Sequence, residues 1–400
     1  MANGNIERRR ILFLNVGHAY DHWFMLIYAT AVIAMEREFD LGYGGLMALS
    51  TPGFIAFGLG AIPAGWLGDR WSREGMITVF FVGLGAASVL VGLARTPVEL
   101  GVALTLLGCF AAIYHPVGIA MIAEGASGSL GRRIGVNGVW GNMGVAGAAV
   151  VTGLFVDSFG WRSAFVLPGL LAAATGLAFL WTVGAGRTST PTGPGPHRDG
   201  ARMRDGWQRV LAVVAAITVV SAIIFNAVTI AMPKVLEERL VGITITATGI
   251  GFAASAVYAI AAFTQIAVGR ALDRYAVRGL LTFLALGQVV AFAAAAFAMN
   301  WSLLAAVLVL MIMVFGQVPV GSILIARYTP DVIRARVYGF QYLLVFGVGA
   351  LAVPLIAIQY QWGGFAGLFL IMAAMAVVIV LIAQMLPETR PAESVSTGRA

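Results

Sequence analysis

The stretch "GWLGDRWSR", residues 65–73, returns later in the chain as "GRALDRYAV", residues 269–277. A glycine, an aspartate and an arginine stand at matching places in the two stretches, 204 residues apart. The matched pairs are Gly65 with Gly269, Asp69 with Asp273, and Arg70 with Arg274. The same spacing pairs Arg132 with Arg336, Gly135 with Gly339, and Phe165 with Phe369. One shift that fits three separate places indicates a duplicated unit of structure.

The composition is that of a membrane protein. Of the 400 residues, 60% are hydrophobic and only 11% are charged, and the mean hydropathy is +0.90. Repeated apolar runs of about 20 residues are typical of membrane-spanning helices. The net charge of +7 does not indicate a nucleic-acid partner, because the basic residues are scattered over short loops. Cys109 is the single cysteine, which excludes disulfides and cysteine-rich metal sites.

Twelve apolar runs are separated by short polar breaks. They lie near residues 11–35, 44–68, 75–95, 98–123, 134–157, 161–184, 210–233, 244–271, 279–298, 302–326, 336–360 and 363–386. Between the sixth and seventh runs stands "GRTSTPTGPGPHRDGARMRDGWQ", residues 186–208, whose composition is typical of a hydrophilic linker. We therefore predict an all-α membrane protein whose twelve transmembrane helices form two pseudo-symmetric six-helix bundles. The predicted bundles cover residues 1–184 and 209–400, and a cytoplasmic linker over 185–208 joins them.

Positive charge is distributed unevenly between the loops. If both termini are cytoplasmic, twenty of the 25 Lys and Arg residues lie on the cytoplasmic side. The other five are Arg37, Arg95, Arg162, Lys234 and Arg239. Such a bias sets the orientation of multi-pass proteins, so we expect both termini in the cytoplasm and a location in the bacterial inner (plasma) membrane. No Lys or Arg remains at mid-membrane depth, which argues against phosphate esters as substrates.

The two G-x-x-x-D-R loops follow the second and eighth spans. They resemble the signature loop of the major facilitator superfamily, and the layout of six plus six spans covers the whole chain. This resemblance implies the major facilitator fold, in which the loop glycine allows close helix approach and the loop charges stabilise one access state. The alternative is that the charges only cap helix ends and fix topology. The resemblance implies a gating role for Gly65, Asp69, Arg70, Arg73, Gly269, Asp273 and Arg274.

A finer resemblance rests on three further stretches. They are "GHAYDHW" (17–23), "IYHPVG" (113–118) and "GVWGNMGVAGAAVVTG" (138–153). Together they look similar to the fosmidomycin resistance branch of drug exporters. This resemblance implies that a small amphipathic compound leaves the cell in exchange for protons.

Span one carries ionisable residues inside an apolar run. His18, Asp21 and His22 are spaced i, i+3 and i+4, so they share one helix face. Asp21 lies 11 residues past Arg10, about 16 Å into a hydrocarbon core that is about 30 Å thick. His115 of span four falls at a similar depth. An ionisable group at this depth costs on the order of 3 kcal/mol or more, so it should face a partner or a cavity.

These residues suggest a proton-coupling site. We predict that Asp21 takes up and releases a proton, while His22 and His115 tune or relay it. The alternative is an Asp–His pair that only fixes helix packing.

The major facilitator resemblance also indicates where a substrate would bind. In that fold, spans one, four, seven and ten surround a central cavity. We therefore expect substrate contacts from His18 and Tyr114 in the first half, and from Asn226 and Gln317 in the second. Asn142 on the glycine-rich fifth span is a further candidate.

Taken together, the sequence predicts a proton-coupled secondary transporter that works by alternating access and exports a small amphipathic compound or drug. Three alternatives remain open: proton-linked uptake of a small metabolite, transport of a divalent metal by the His and Asp cluster, and a membrane sensor that transports nothing. No enzyme motif and no cofactor site are found, and no bound metal is expected. The expected partners are a small-molecule substrate, protons and the lipid bilayer, with the chain as a monomer.

Overall fold

The computed structural model describes residues 2–123, 130–183, 203–244, 246–272 and 274–387. Within these ranges the chain forms fourteen α-helices. The first seven are α1 (Ala2–Phe39), α2 (Tyr43–Arg70), α3 (Arg73–Leu93), α4 (Pro97–Ala111), α5 (Tyr114–Ala123), α6 (Leu130–Phe159) and α7 (Ser163–Thr182). The others are α8 (Trp207–Arg239), α9 (Ala247–Ala262), α10 (Thr264–Leu272), α11 (Val277–Phe297), α12 (Asn300–Tyr328), α13 (Asp331–Gly349) and α14 (Ala352–Ala383).

These helices supply twelve membrane crossings. Ten helical segments of the described chain are long and apolar enough to cross a membrane. One of them, Val337–Ala383, has 47 residues and a length of about 70 Å, twice what one crossing needs. It turns at Gly364, where φ is 57°, a conformation that glycine adopts without strain, and therefore supplies two crossings. α1 is the remaining crossing, which confirms the predicted all-helical fold.

The fourth span is broken into α4 and α5. Pro116 lacks an N–H group, and its ring would collide with the carbonyl of Ala112, four residues earlier, where the regular helix stops. The helix resumes at Tyr114. His115 therefore lies in the first turn of α5, directly after the break.

Glycines allow close helix approach within the bundle formed by α1 to α7, here called the N bundle. A Cβ on Gly108 of α4 would collide with the carbonyl of Gly53 in α2. Gly85 of α3 and Gly169 of α7 face each other in the same way. Close backbone packing of this kind stabilises helix pairs in lipid, where the hydrophobic effect between helices is absent.

Contacts between the N bundle and the C bundle, α8 to α14, concentrate at the end away from the linker. Asp157 of α6 accepts hydrogen bonds from the backbone N–H groups of Ala247 and Thr248 at the start of α9, at 3.1 and 2.7 Å. Lys234 Nζ at the end of α8 lies 2.6 Å from a carboxylate oxygen of Glu36 in α1. We call this end the closed side.

We call the opposite end the linker side. Gly135 and Gly138 of α6 and Gly269 of α10 have no atom within 4 Å of the position that a Cβ would take. Midway between the ends, the rings of Phe57 in α2 and Phe346 in α13 are 5.0 Å apart. The domain boundaries remain a prediction, because most of the linker expected over 185–208 lies outside the described residues.

Candidate functional site

A carboxylate and an imidazole meet between α1 and α5. Asp21 is fully buried, and its Oδ2 atom lies 3.0 Å from Nε2 of His115. The two atoms are in ion-pair range, but the angles do not fit a well-aligned hydrogen bond. Asp21 Oδ1 has no hydrogen-bond partner among the described residues. The carboxylate is therefore held by one imidazole alone, which leaves it free to accept a proton.

Two more imidazoles gather beside this pair. The ring centres of His18 and His22 are 5.0 Å apart, and those of His22 and His115 are 5.5 Å apart. One ring nitrogen from each of the three lies within 4.8 Å of the others. His18 Nδ1 is 2.8 Å from the carbonyl oxygen of Asn137, so this nitrogen carries the proton and Nε2 is left as an acceptor.

Tyr114 lies behind the imidazoles and does not line the cavity. Its hydroxyl donates to the carbonyl of Leu14 at 2.6 Å and accepts from Asn137 Nδ2 at 2.8 Å. Asn137 Nδ2 also lies 3.1 Å from Oδ1 of Asn15. These bonds tie α1, α5 and α6 together, and the substrate contact expected from Tyr114 stays a prediction.

A cavity of about 330 Å³ lies between the bundles at this level. It brings together six of the residues selected from the sequence, while Asp21 stays behind its wall, in contact with His115. The six are His18, His22, His115, Asn142, Asn226 and Gln317.

The wall of the C bundle is rich in amides. Gln288 Nε2 donates to Gln317 Oε1 at 2.6 Å, and Gln317 Nε2 donates to Ser221 Oγ at 2.6 Å. The C-bundle residues that line the cavity include no Asp, Glu, His, Lys or Arg. The cavity therefore has a titratable wall on the N bundle and a neutral hydrogen-bonding wall on the C bundle.

Sequence reasoning missed part of this wall. Gln288, Ser221 and Gln341 line the cavity from spans nine, seven and eleven. Gln288 and Gln341 lie outside the four spans that the resemblance places around the cavity, and Ser221 lies on span seven, five residues before the predicted Asn226.

His115 also contacts the other bundle. Its ring centre lies 4.3 Å from that of Phe346 and 5.9 Å from that of Tyr342, both on α13. His115 is thus in contact both with Asp21, through Nε2, and with the C bundle, through its ring.

The first gating loop makes its contacts inside the N bundle. Asp69 accepts a hydrogen bond from Arg73 at 2.6 Å, and the Arg70 guanidinium lies 4.6 Å from the Trp66 ring centre. Gly65 lies against α5, where an added Cβ would be 3.2 Å from the nearest side-chain carbon. The Asp69 side chain is 65% exposed, so it is accessible to a partner on the C bundle.

The second gating loop lies at the end of α10. Gly269 faces open space and Arg274 is exposed. Asp273 lies outside the described residues. The gating role of both loops remains a prediction.

The family model of the Major Facilitator Superfamily matches residues 12–240 and 214–400, nearly the whole chain. The chain belongs to this superfamily. Membership agrees with the helical architecture and confirms the expectation of a multi-pass transport protein and not an enzyme.

Curated relatives of this superfamily member match part of its length. The chain is 35% identical over 168 residues to the "Probable actinorhodin transporter" of Streptomyces coelicolor, covering 39% of this chain and 28% of that protein. It is 28% identical over 159 residues to the "Tetracenomycin C resistance and export protein" of Streptomyces glaucescens, covering 38% and 29%. The chain thus spans less than a third of either relative's length.

A solved structure gives the fold of the whole chain. The crystal structure of a D-xylose-proton symporter superposes with a TM-score of 0.78 at 15% identity, covering 94% of this chain and 97% of the other. At this identity the likeness concerns the fold alone.

Proposed function

We propose that this chain is a proton-coupled exporter of a small amphipathic compound. The observation that carries the proposal is the contact between Asp21 and His115, directly behind the central cavity and beside Phe346 of the C bundle. A carboxylate in this position has one partner, one unoccupied oxygen and a path to the seam between the bundles.

Protonation of Asp21 would change the forces on His115. An ionised carboxylate attracts the imidazole strongly at this depth, since the surroundings screen charge poorly. A bound proton removes that attraction and lets the ring follow α13. Binding and release of one proton would therefore alter how firmly the two bundles hold together at their midpoint, which is the requirement for coupling to alternating access.

The proposed direction combines two arguments. The bias of twenty basic residues to five favours a cytoplasmic linker side. The closed side, with its contacts between the bundles, would then face outward, and the state described here would receive substrate from inside the cell. One curated relative is named as a probable actinorhodin transporter and another as a tetracenomycin C resistance and export protein. The three stretches at residues 17–23, 113–118 and 138–153 also look similar to the fosmidomycin resistance branch of drug exporters. These arguments favour export across the bacterial inner membrane in exchange for protons.

The substrate class follows from the walls of the cavity. Its lining includes no Lys, Arg, Asp or Glu, and offers imidazoles on one side and amides on the other. Such walls suit an uncharged, weakly acidic or cationic molecule with several hydrogen-bonding groups. A compound with a high negative charge would be buried without compensation.

The test begins with a growth-inhibition screen of amphipathic antimicrobial compounds on cells that overproduce the protein. For a compound that gives resistance, flux into inverted vesicles is then measured with an imposed pH gradient. Asp21→Asn should reduce gradient-driven flux on the order of 100-fold, because asparagine keeps the shape of the side chain and cannot titrate. Exchange of labelled for unlabelled substrate should persist.

The matched control is Asp205→Asn, which makes the same chemical change at an exposed acid at the start of the C bundle. This variant should transport like the wild type. Gradient-driven flux in Asp21→Asn equal to that of the wild type would remove Asp21 from the mechanism. Movement of solute with protons, and not against them, would favour uptake.

A divalent metal is a second candidate substrate. It is favoured by the three imidazole nitrogens of His18, His22 and His115, which lie within 4.8 Å of one another. Titration of the purified protein with Co²⁺ alone tests it. Visible absorption bands of a nitrogen-bound cobalt ion that vanish in His22→Ala would support metal transport, and an unchanged spectrum would exclude it.

A further inference from the structure

A second cavity, of about 550 Å³, lies beside the central one, between α8, α12 and α13. We call it the side groove. Val214, Thr218 and Gln341 line both spaces, so the groove adjoins the central cavity at these three residues. Ala212 and Phe340 at its rim are exposed, which places its outer mouth on the flank of the C bundle.

The lining of the groove is hydrocarbon. Its walls include Leu211, Ala215, Ile325, Val337, Phe340 and Leu344. Only Thr218 and Gln341 are polar among the described lining residues, and both stand at the boundary with the central cavity. A polar group in this groove would lose its hydrogen bonds to water, whereas a hydrocarbon group would lose nothing.

We propose that the side groove holds the hydrocarbon arm of the transported compound while its polar head occupies the central cavity. The proposal rests on the function proposed above and defines its substrate as an uncharged amphiphile with one hydrogen-bonding head and one apolar arm. The head lies against the amide wall of Gln288 and Gln317. The arm passes Thr218 and Gln341, where the polar lining ends, and enters the groove.

The alternative occupant is the acyl chain of a membrane phospholipid. Continuity with the central cavity favours the substrate, because the groove meets that cavity where its amide and hydroxyl groups begin. An acyl chain held there would have no contact for its headgroup among these lining residues, whereas a substrate bridges both environments.

The experiment uses the methyl to octyl esters of 4-hydroxybenzoic acid, which share one polar head and differ in the length of one apolar arm. Binding to the purified full-length protein is measured at free ester concentrations fixed by equilibrium dialysis. For the wild type, affinity should rise about fourfold with each added methylene until the groove is filled.

Two variants of α8 test whether the apolar arm of the ester binds in the side groove. Ala215→Trp fills the groove, and Ala216→Trp places the same side chain on the next residue, which lines neither cavity. We expect Ala215→Trp to bind the methyl ester like the wild type and to bind the octyl ester at least tenfold more weakly. Ala216→Trp should match the wild type with both esters.

Several results would overturn the proposal. One is an equal dependence on chain length in Ala215→Trp and the wild type. Another is a loss of methyl ester binding as large as the loss of octyl ester binding. Absence of binding by every ester refutes the ligand class. If a phosphatidylcholine with a photoreactive acyl chain labels α8 and α13 despite saturating octyl ester, the groove holds lipid.

Proton coupling and binding in the side groove are measured in separate experiments. The groove is tested by equilibrium binding of the esters to the wild type, Ala215→Trp and Ala216→Trp, whereas coupling is tested by gradient-driven flux in Asp21→Asn. A failure of the coupling mechanism therefore leaves the groove result interpretable, and a failure of the groove leaves the role of Asp21 untouched.

Discussion

Gln317 stands at the centre of the amide wall, with hydrogen bonds to both Gln288 and Ser221. In Gln317→Leu, the nearly buried amide of Gln288 loses its close acceptor, which should lower the free energy of unfolding by about 1–3 kcal/mol. Substrate affinity should fall as well, because a hydrogen-bonding group leaves the cavity. Thermal unfolding and equilibrium binding of the purified protein measure the two effects.

The double variant Gln288→Leu/Gln317→Leu separates stability from binding. Removing both partners leaves no buried amide without a partner, so the stability should return to within about 1 kcal/mol of the wild type. Substrate affinity should stay low. A double variant that regains affinity together with stability would show that the amide wall serves packing only.

Glu38 makes a paired contact with Arg162 on the closed side. Hydrogen bonds from Arg162, at 2.7 and 2.5 Å, lower the pKa of Glu38, with a further contribution from Trp161. Because the pKa is lower in the folded state, the ionised carboxylate stabilises the fold above the pKa of an unfolded glutamate, about 4.3, and this stabilisation is lost as the pH falls through the folded value. The effect is small, since both side chains are 39% exposed.

We expect the melting temperatures of the wild type and Glu38→Gln to differ by a constant amount above about pH 5. This difference should shrink towards zero as the pH is lowered further. Calorimetry between pH 3 and 7 measures it. A difference that does not change with pH would mean that the charge of Glu38 contributes nothing.

The sequence predicts single residues best where burying an ionisable side chain in the membrane costs much free energy. Asp21 and His115 were selected because ionisable groups are rare in lipid, and depth arithmetic placed them at one level, where the structure has them 3.0 Å apart. Tyr114 lies outside the cavity lining, and its hydroxyl is bonded to Leu14 and Asn137, which are more than 20 residues away in sequence. Such partners depend on tertiary packing and cannot be deduced from spacing.

The helix α6 has one glycine packed within the N bundle and another packed against the C bundle. Gly144 lies against the carbonyl of Ala19 in α1, within the N bundle, whereas Gly153 lies against the carbonyl of Ala247 in α9, across the seam. Gly144→Ala should lower the free energy of unfolding by about 1–3 kcal/mol, because an extra methyl group forces the backbones apart. Thermal unfolding measures this loss.

Gly153→Ala should act on conformation. The added methyl opposes contact between α6 and α9 on the closed side, and it is relieved when the bundles separate there, so the population shifts towards the opposite access state. Labelling of Asn226→Cys from the outside, in a Cys109→Ser background, should become faster. Gly147→Ala is the matched control, since no atom lies within 4 Å of its Cβ position. If Gly153→Ala and Gly147→Ala label equally fast, the contact does not hold the closed side.

Hydropathy alone does not predict all of the membrane-spanning helices and their ends. The polar residues His18, Asp21 and His22 lower the hydropathy of α1, and α1 is absent from the segments identified by length and composition. The predicted break between the last two apolar runs lies at residues 361–362, and the chain turns two residues later, at Gly364, inside the predicted twelfth run. Its positive φ is a backbone property that the sequence indicates only by the presence of glycine.

At the scale of the whole molecule, the repeat at 204 residues predicts two similar bundles, and the structure shows how they differ. The N bundle supplies every imidazole of the cavity, and the C bundle supplies amides and the side groove. The two halves share small residues and loop charges at matched positions, which give them similar backbone folds. The side chains that line the cavity differ between the halves, so the sequence repeat alone cannot predict which polar groups each half contributes.

Lys234 holds the two bundles together on the closed side, because its Nζ lies among three carboxylates. It is 2.6 Å from Glu36 on the N bundle and 3.1 and 4.0 Å from Glu237 and Glu238 on its own helix. Lys234→Met removes the shared cation and leaves acids facing each other across the seam, so the open population of this side should rise on the order of tenfold. Distances between spin labels at Leu41→Cys and Val241→Cys, in a Cys109→Ser background, measure that population.

The control is Arg239→Met, because the guanidinium of Arg239 donates hydrogen bonds to carbonyls of its own bundle. If the open population rises equally in Arg239→Met and Lys234→Met, loss of charge opens this side, and loss of the cross-bundle contact does not.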